Sequence, residues 1–516
     1  MIAFFLAFIP ALIAALPLFG SRFIPTHDGE YHIIRFWQFY KMLSAGDWFP
    51  RWAQDLNVGL GVPLFTFNYP LPNYIGSAFH FIGMSFADSF KWSLGLGYLT
   101  AVIWYYLFAK KVFGTKPAIA ATIIFSYIPY WFVYMYVRGS VGEVWAVSFL
   151  MLAFASLAYN KPQTFAIAVG LLILSHNILA MIFVPMLFII ALRIRPMIVG
   201  WIAGVGLAAY FWVPALYERQ FVVGLNTVNY RDHFAALVQI LFPSWGSGYS
   251  VLGISDGMSF QIGIVSLLII GAAAILLFKK NRLAPTIKQM VALSLFVIIA
   301  GSFLMTEYSA FLWRAVPVLG YLQFPWRLLS VIMIAVSVLA GFVSHVTPKF
   351  GIILALCSVF FVFSYTRPVT YESRSDEYYL SRDWFTSGTS SLGDAFQTQW
   401  KQGDINYSPQ NFSVSERSID YTKLNPVSYV LLLHASISGT LIAPIAYYPG
   451  WQANIGGRSV PISPGEHGTI TLPVHEGDQL LHIRLDSAPW QQAAGITSLL
   501  SLLFIVLSFI LRKPTI

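Results

Sequence analysis

Two carboxylates stand one residue apart, with a histidine on either side, in His27-Asp28-Gly29-Glu30-Tyr31-His32. Asp28 and Glu30 can serve as general base or can together hold a divalent cation such as Mg or Mn, and His32 can assist either task. A plainer reading competes: Asp ahead of a helical stretch is a good N-cap, and a helix-compatible stretch from Tyr31 to Leu43 follows. Four further groups carry chemistry-bearing side chains. Arg138-Gly139-Ser140-Val141-Gly142-Glu143 sets a cation and an anion at a junction of apolar runs, as a site or as a structural ion pair. His176-Asn177 interrupts a strongly apolar stretch, where polar side chains must find partners. Glu218-Arg219 follows Trp212-Val213-Pro214-Ala215-Leu216-Tyr217, and Arg327 closes Gln323-Phe324-Pro325-Trp326-Arg327. An arginine at headgroup depth suits a phosphate.

The elements that hold these residues are predicted to be membrane spans. Of 516 residues 57% are hydrophobic and only 10% charged, against about 25% charged in an average soluble domain. Apolar runs of about 20 residues, enough for a ~30 Å hydrocarbon core, recur along the chain. The net charge of +9 is spread over small clusters between those runs and forms no single basic face, which argues against nucleic acid. Cys357, the only cysteine, lies in an apolar run and excludes an intramolecular disulfide. Residues 2–19 lack the charged n-region of a signal peptide and read as a retained first span.

Spans are expected near 2–19, 90–109, 117–136, 144–159, 163–176, 178–192, 197–215, 260–278, 286–304, 328–346, 350–365 and 493–511. With both termini cytoplasmic, the inner connections carry Lys110, Lys111, Lys116, Lys161, Arg193, Arg195, Lys279, Lys280, Arg282, Lys288, Lys349, Arg512 and Lys513, with no acidic residue among them. That satisfies the positive-inside rule at every inner connection, provided the short, Pro- and aromatic-rich stretch from Leu71 to Ser85 is an interfacial helix and not a span. Asp28, Glu30, Arg138, Glu143, His176, Glu218 and Arg327 then all fall on the extracytoplasmic side. Two segments there are large: residues 22–89, a first loop, and 366–490, whose alternating apolar positions and Gly/Pro punctuation predict a small antiparallel β-sandwich. Residues 1–365 form the transmembrane domain in this reading, and 491–516 a last span with its tail. Span interiors are nearly free of ionisable groups, which disfavours an ion-coupled pump or symporter. Phosphate-binding glycine loops, nucleophile elbows and Cys/His metal spacings are missing from the sequence.

Several motifs occur in an order that resembles one family. These are Asp28-Gly29-Glu30-Tyr31-His32, Gly46-Asp47-Trp48-Phe49-Pro50-Arg51-Trp52 with Gly59-Leu60-Gly61, and Tyr69-Pro70-Leu71-Pro72. Arg138-Gly139-Ser140 with Glu143, His176-Asn177, Pro214-Ala215-Leu216-Tyr217-Glu218 and Phe324-Pro325-Trp326-Arg327 follow, then Tyr448-Pro449-Gly450-Trp451 with Gly456-Gly457. The chain resembles, over nearly its whole length, the multispanning membrane proteins called pyruvoyl-tetrahydropterin-synthase-related and the YfhO-like proteins, which are similar to GT-C glycosyltransferases. No pterin chemistry follows from any residue here.

The resemblance implies a mainly α-helical polytopic protein of the inner membrane that moves a sugar from a polyprenyl-phosphate donor to an extracytoplasmic glycan, lipid or protein acceptor. It implies Asp28 as general base, Glu30 as its assistant or as a second ligand to a divalent cation, and Arg327 and Arg138 as partners of the donor phosphate. His32, Glu143, His176, Asn177 and Glu218 are the remaining candidates. A lipid-linked-glycan flippase and a non-catalytic envelope assembly factor are the alternatives. The first needs a polar path across the bilayer. The second would use the β region, with Tyr448, Trp451 and Trp490 as stacking platforms or as core aromatics.

Overall fold

The computed structural model describes residues 2–224, 228–279, 283–401, 411–414, 417–419, 421–435 and 438–511. Lys280, Arg282, Arg512 and Lys513, four of the cations expected on the inner side, lie outside the described residues. Each of the twelve apolar stretches contains helix, but residues 127–129 and 260–263 within them are not helical. Among the described residues, seven helices are long and apolar enough to cross a membrane: Ile2–Phe19, Phe86–Phe113, Val141–Ala158, Pro285–Leu304, Pro325–Val346, Pro348–Thr366 and Pro489–Ile510. Two bent pairs, Thr115–Ser126 with Tyr130–Arg138 and Arg195–Leu207 with Ala209–Phe221, raise the count to nine if each is one span. Pro162–Ser175, Asn177–Ala191 and Ile264–Lys279 are apolar but shorter.

Helix ends follow local chemistry. Gly114 takes φ +96 where Phe86–Phe113 stops, and proline opens Pro162–Ser175, Pro285–Leu304 and Pro348–Val362, where its missing N–H costs nothing. The stretch read as interfacial forms a helix of only 11 residues, Leu71–Phe81, ending at the exposed Phe81 and Ile82.

The first loop does not hang free. Its helix Gly29–Ser44 buries His32, Phe36, Phe39 and Met42 on one face, the 3–4 residue spacing of an amphipathic helix. Fully buried Lys91 ties the loop's start to Phe86–Phe113: it pairs with Asp88 at 2.8 Å and donates to the carbonyls of Gly20 and Arg22.

Strands occupy less of the C-terminal segment than the alternation suggests, running from Phe412 to Leu485. They are β1 (Phe412–Val414), β2 (Arg417–Ile419), β3 (Tyr421–Asn425), β4 (Ser428–Ala435), β5 (Gly439–Ala446), β6 (Trp451–Ile455), β7 (Arg458–Val460), β8 (Ser463–Pro464), β9 (Thr469–Val474) and β10 (Gly477–Leu485). Two antiparallel sheets result, ordered β2-β1-β5-β9-β8 and β3-β4-β10-β6-β7. Register sets Leu431 against Leu481 and Tyr429 against Ile483, and all four are buried. Leu441, Ala443 and Ile445 on β5 and Ile470, Leu472 and Val474 on β9 keep the same period of two. The core so formed is continuous with the first loop: Trp52 lies edge-on to Trp451 at 5.5 Å, and the Ala446 amide donates to the Leu60 carbonyl at 2.8 Å.

Residues before the strands have another task. In the short helix Asp376–Leu380, the Asp376 carboxylate accepts from the amides of Phe86 and Ala87 at 2.8 and 3.2 Å. An anion at a helix N-terminus satisfies orphan donors and opposes the helix dipole. This segment clamps the first loop against the helices, and its lack of period-two alternation is why it is not strand.

Candidate functional site

The site is assembled at one end of the helices. The first helix ends at Phe19, Phe86–Phe113 starts beside it, Tyr130–Arg138 ends there, and Val141–Ala158 and Pro325–Val346 begin there. Phe86–Phe113 has 28 residues and extends roughly 42 Å, so Lys110 and Lys111 lie at the opposite end.

Residues Val133–Arg138 form a π-helical turn, a rare irregularity found most often at functional sites. Its last carbonyls have no helical partner, and the amides of His27 and Asp28 donate to those of Val137 and Arg138 at 3.0 and 2.9 Å. Two backbone bonds thereby set Asp28 beside Arg138. The turn is released by Gly139 at φ +68, where a Cβ would stand 2.2 Å from Thr26 Oγ1. Only glycine meets both demands.

Glu143 occupies the first turn of Val141–Ala158 and is 1% exposed. Arg138 donates to it from Nη1 and Nη2 at 2.8 and 2.7 Å, a bidentate fork. Arg327 Nε and His176 Nε2 approach the same carboxylate oxygen at 3.5 and 3.7 Å, as ion-pair contacts rather than hydrogen bonds. His176 Nδ1 accepts from the Leu179 amide at 3.3 Å and so caps Asn177–Ala191, which leaves the ring proton on Nε2, facing Glu143. The Arg138 guanidinium lies over the Trp326 ring at 4.8 Å. Arg327 lies over Phe324 at 5.0 Å and donates from Nη1 to the Leu322 carbonyl and to Gln323 Oε1 at 2.9 and 2.6 Å.

Asp28 is half-buried and close enough to Arg138, Arg327 and Tyr69 to act on each electrostatically. Among the described residues its carboxylate accepts no hydrogen bond, and although it is the N-cap of Gly29–Ser44 its side chain makes no cap bond. The Tyr69 ring stands 5.0 Å from that of His176. Gly142 admits it, since a Cβ there would lie 2.4 Å from the Tyr69 ring. Burial pushes the Tyr69 phenol up to about 12; Arg35 opposes this, and Asp28 and Glu143 add to it. The group is therefore a donor near neutral pH.

Among the described residues, buried polar atoms around this cluster are left without hydrogen-bond partners: Thr26 Oγ1, Arg35 Nε, Tyr130 OH, Ser140 Oγ, Asn177 Oδ1, Trp326 Nε1 and Arg327 Nε. Each such group costs about 1–3 kcal/mol, and their concentration here suits a polar ligand.

The other candidates lie elsewhere or act differently. His32 is 2% exposed and stacks on Phe90 at 5.9 Å; burial first, then nearby Arg35, lowers its pKa well below the ordinary value. It is a neutral packing residue at the edge of the site. Asn177 donates to the Phe67 carbonyl at 2.9 Å. Glu30 points away from Asp28 to Arg374, at 3.5 Å, and to Arg382. Glu218 belongs to a separate cluster, accepting from Tyr448 OH, Trp490 Nε1 and Gln491 Nε2 at 2.6, 2.8 and 2.5 Å.

Two participants escape a reading of motifs. Arg35 follows Asp28 by seven residues, two helical turns, and so shares its face of the helix. Tyr69 opens Tyr69-Pro70-Leu71-Pro72, but nothing in its neighbours ties it to His176.

A divalent cation does not fit the residues as they are placed. Glu30 is taken by two guanidinium groups, Asp28 faces two more, and no group of three or more His, Cys, Asp or Glu side chains suited to a metal occurs among the described residues. The cluster is instead charged for an anion. Compared with known proteins, the chain matches no family model and no curated protein.

Proposed function

We propose that this protein is a membrane glycosyltransferase that moves a sugar from a polyprenyl-phosphate donor to an extracytoplasmic acceptor. The observation that carries the reading is the Asp28 carboxylate, free of hydrogen bonds among the described residues and set beside arginines that Glu143 holds in place. A free carboxylate is what a general base needs, and fixed cations are what a departing phosphate needs.

In this mechanism Asp28 takes the proton of an acceptor hydroxyl. The hydroxyl oxygen bonds to the anomeric carbon as the bond from that carbon to the phosphate oxygen breaks. The electron pair leaves with the polyprenyl phosphate, whose added negative charge meets Arg327 and Arg35. Among the described residues the Nε groups of these two arginines make no hydrogen bond, that of Arg327 resting 3.5 Å from Glu143, and so can donate without giving one up. Arg138 and Glu143 position Asp28 and Arg327, and His176 and Tyr69 close the cluster. No step uses a metal ion.

The sidedness reading supports the acceptor's location, because the site lies at the helix ends opposite Lys110, Lys111 and Lys161. Reconstitution in liposomes with radiolabelled polyprenyl-phosphate sugars and membrane-glycan acceptors tests the reading. Transfer by the intact chain and none by Asp28→Asn is expected. Movement of the lipid-linked sugar across the bilayer with no glycosidic bond formed would overturn it in favour of a flippase.

A further inference from the structure

A cavity of about 430 Å³ lies away from the Asp28 cluster, between the loop 47–52, the bent pair Arg195–Leu207 with Ala209–Phe221, the last helix Pro489–Ile510 and the end of β10. None of its lining residues belongs to the cluster. It is polar at one end and apolar along its length. Asp47, Arg51 and Asp486 stand at the polar end, and Leu207, Leu499 and Leu502 form the walls. From Gln491 to Leu502 it follows the last helix for roughly 16 Å, about half of a ~30 Å hydrocarbon core. Leu499 and Leu502, 65% and 46% exposed, continue the apolar wall outward. Trp48 and Phe49, 69% and 59% exposed, flank the mouth as aromatic residues do at a membrane interface.

The charge at the polar end selects among amphiphiles. Arg51 donates to Gln491 Oε1 and, at 3.4 Å, to Ser487 Oγ, which leaves most of its five N–H donors for another acceptor. Asp47 Oδ1 accepts from the Phe49 amide at 3.0 Å and Asp486 Oδ2 from the exposed Arg484 at 2.9 Å; each carboxylate keeps an oxygen. Behind Arg51, Glu218 adds a third negative charge. With Arg484 already paired to Asp486, a purely anionic headgroup would find Arg51, among the described residues there, as the one cation not held by a carboxylate within ion-pair distance, with three carboxylates around it. A zwitterion can set its phosphate on Arg51 and its ammonium between Asp47 and Asp486.

We infer that this cavity binds one glycerophospholipid with a primary-ammonium headgroup, of the phosphatidylethanolamine type, its phosphate on Arg51 and an acyl chain along Leu499 and Leu502. The inference requires the last helix to lie in a membrane, and it does not depend on sugar transfer. The bound lipid would join the β region to the transmembrane helices, since the cavity is walled by both.

Native mass spectrometry of the full chain, delipidated and returned to equal amounts of phosphatidylethanolamine, phosphatidylglycerol and polyprenyl phosphate, tests it. The intact protein should retain phosphatidylethanolamine about tenfold over either anionic lipid. Gly495→Leu should abolish that retention: Gly495 lines the cavity, and a Cβ there meets nothing within 4 Å, so the side chain fills space without displacing the fold. Asp47→Asn with Asp486→Asn should remove the preference for the ammonium lipid while retaining lipid binding. Equal retention of the three lipids by the intact protein, retention of an anionic lipid alone, or unchanged retention in Gly495→Leu would overturn the inference. Loss of folding in Gly495→Leu leaves the paired Asn substitutions, at the mouth, to decide it.

Discussion

Arg138 and Glu143 are joined by two parallel hydrogen bonds of 2.8 and 2.7 Å, with both side chains almost wholly shielded from solvent. A buried pair of this kind adds little net stability, but loss of one partner strands the other charge, at a cost of about 3–5 kcal/mol. Arg138→Met is therefore expected to lower the thermal midpoint sharply in detergent. The double substitution Arg138→Met, Glu143→Leu should recover part of the stability, since it still leaves Arg327 without its carboxylate, and none of the transfer activity. A double variant as unstable as the single one would show that the pair is not what holds these helix ends together.

Asp28 and Glu30 separate cleanly in the structure, and so should their variants. The Asp28 side chain makes no cap bond, so Asp28→Asn forfeits none of the ~1 kcal/mol a cap contributes. It should fold like the parent and lose transfer by three orders of magnitude or more, on the order of what a general base contributes. Glu30 links Gly29–Ser44 to Arg374 and Arg382 through partly exposed side chains, a pairing worth no more than about 1 kcal/mol. Glu30→Gln should loosen residues 372–382 to limited proteolysis while activity falls less than about tenfold. Comparable losses from the two variants would return Glu30 to the chemistry.

His27 carries a pH dependence whose sign is fixed by its surroundings. Burial lowers its pKa from 6.5, opposed in part by the Ser247 carbonyl and Asp28 and reinforced by Arg138. The ring packs on Tyr249 at 4.5 Å and its Nε2 meets the Ser247 carbonyl at 3.0 Å. Because the folded pKa is the lower one, the unfolded chain binds more protons in the window below 6.5. Stability from this contact is complete above that value and is lost as pH falls through the folded pKa. Protection factors at Gly248 and Gly257, whose amides donate to the Gly257 and Tyr249 carbonyls, should fall on acidification below 6.5 once slower intrinsic exchange in acid is divided out, and His27→Gln should flatten the response. Acid-insensitive protection in the parent chain would contradict the assignment.

Motifs with no connection in the sequence meet in the structure because each stands at the end of an apolar run. The charge argument sets Arg138, Glu143, His176, Glu218 and Arg327 on one side, but it is the structure that gathers Arg138, His176 and Arg327 on Glu143 and leaves Glu218 in a cluster of its own. Asp28 and Glu30 turn to different partners for a geometric reason: residues two apart on a helix point in different directions, and Asp28 is the N-cap of Gly29–Ser44 while Glu30 lies in its first turn. Alternation at Tyr429, Leu431, Ile470 and Leu472 announced the strands. Nothing comparable marked Asp376, whose meaning depends on the distant amides of Phe86 and Ala87. Glu218 was open to misreading for the same cause, as its donors lie 230 to 273 residues away.

Those donors make Glu218 the joint between the two halves of the chain. It is 1% exposed, at the end of Ala209–Glu218, and its oxygens accept from Tyr448 just before β6 and from Trp490 and Gln491 in the first turn of the last helix. A buried carboxylate with three donors replaces its lost hydration with fixed bonds, and burial together with this carboxylate raises the Tyr448 phenol pKa, keeping it a donor. Tyr448→Phe removes one donor and leaves two, which should cost about 1–3 kcal/mol, as for a hydrogen bond to a charged group. Glu218→Ala orphans all three donors at once and should cost more than Tyr448→Phe. It should also expose the 485–490 connection to protease, because β10 and the last helix then lose their shared anchor. Cleavage at that connection in Glu218→Ala, with the apolar helices still intact by far-ultraviolet circular dichroism, is the expected pattern. Equal protease resistance of the parent and Glu218→Ala would mean that the hydrophobic contact of Trp52 with Trp451 holds the two halves together without it.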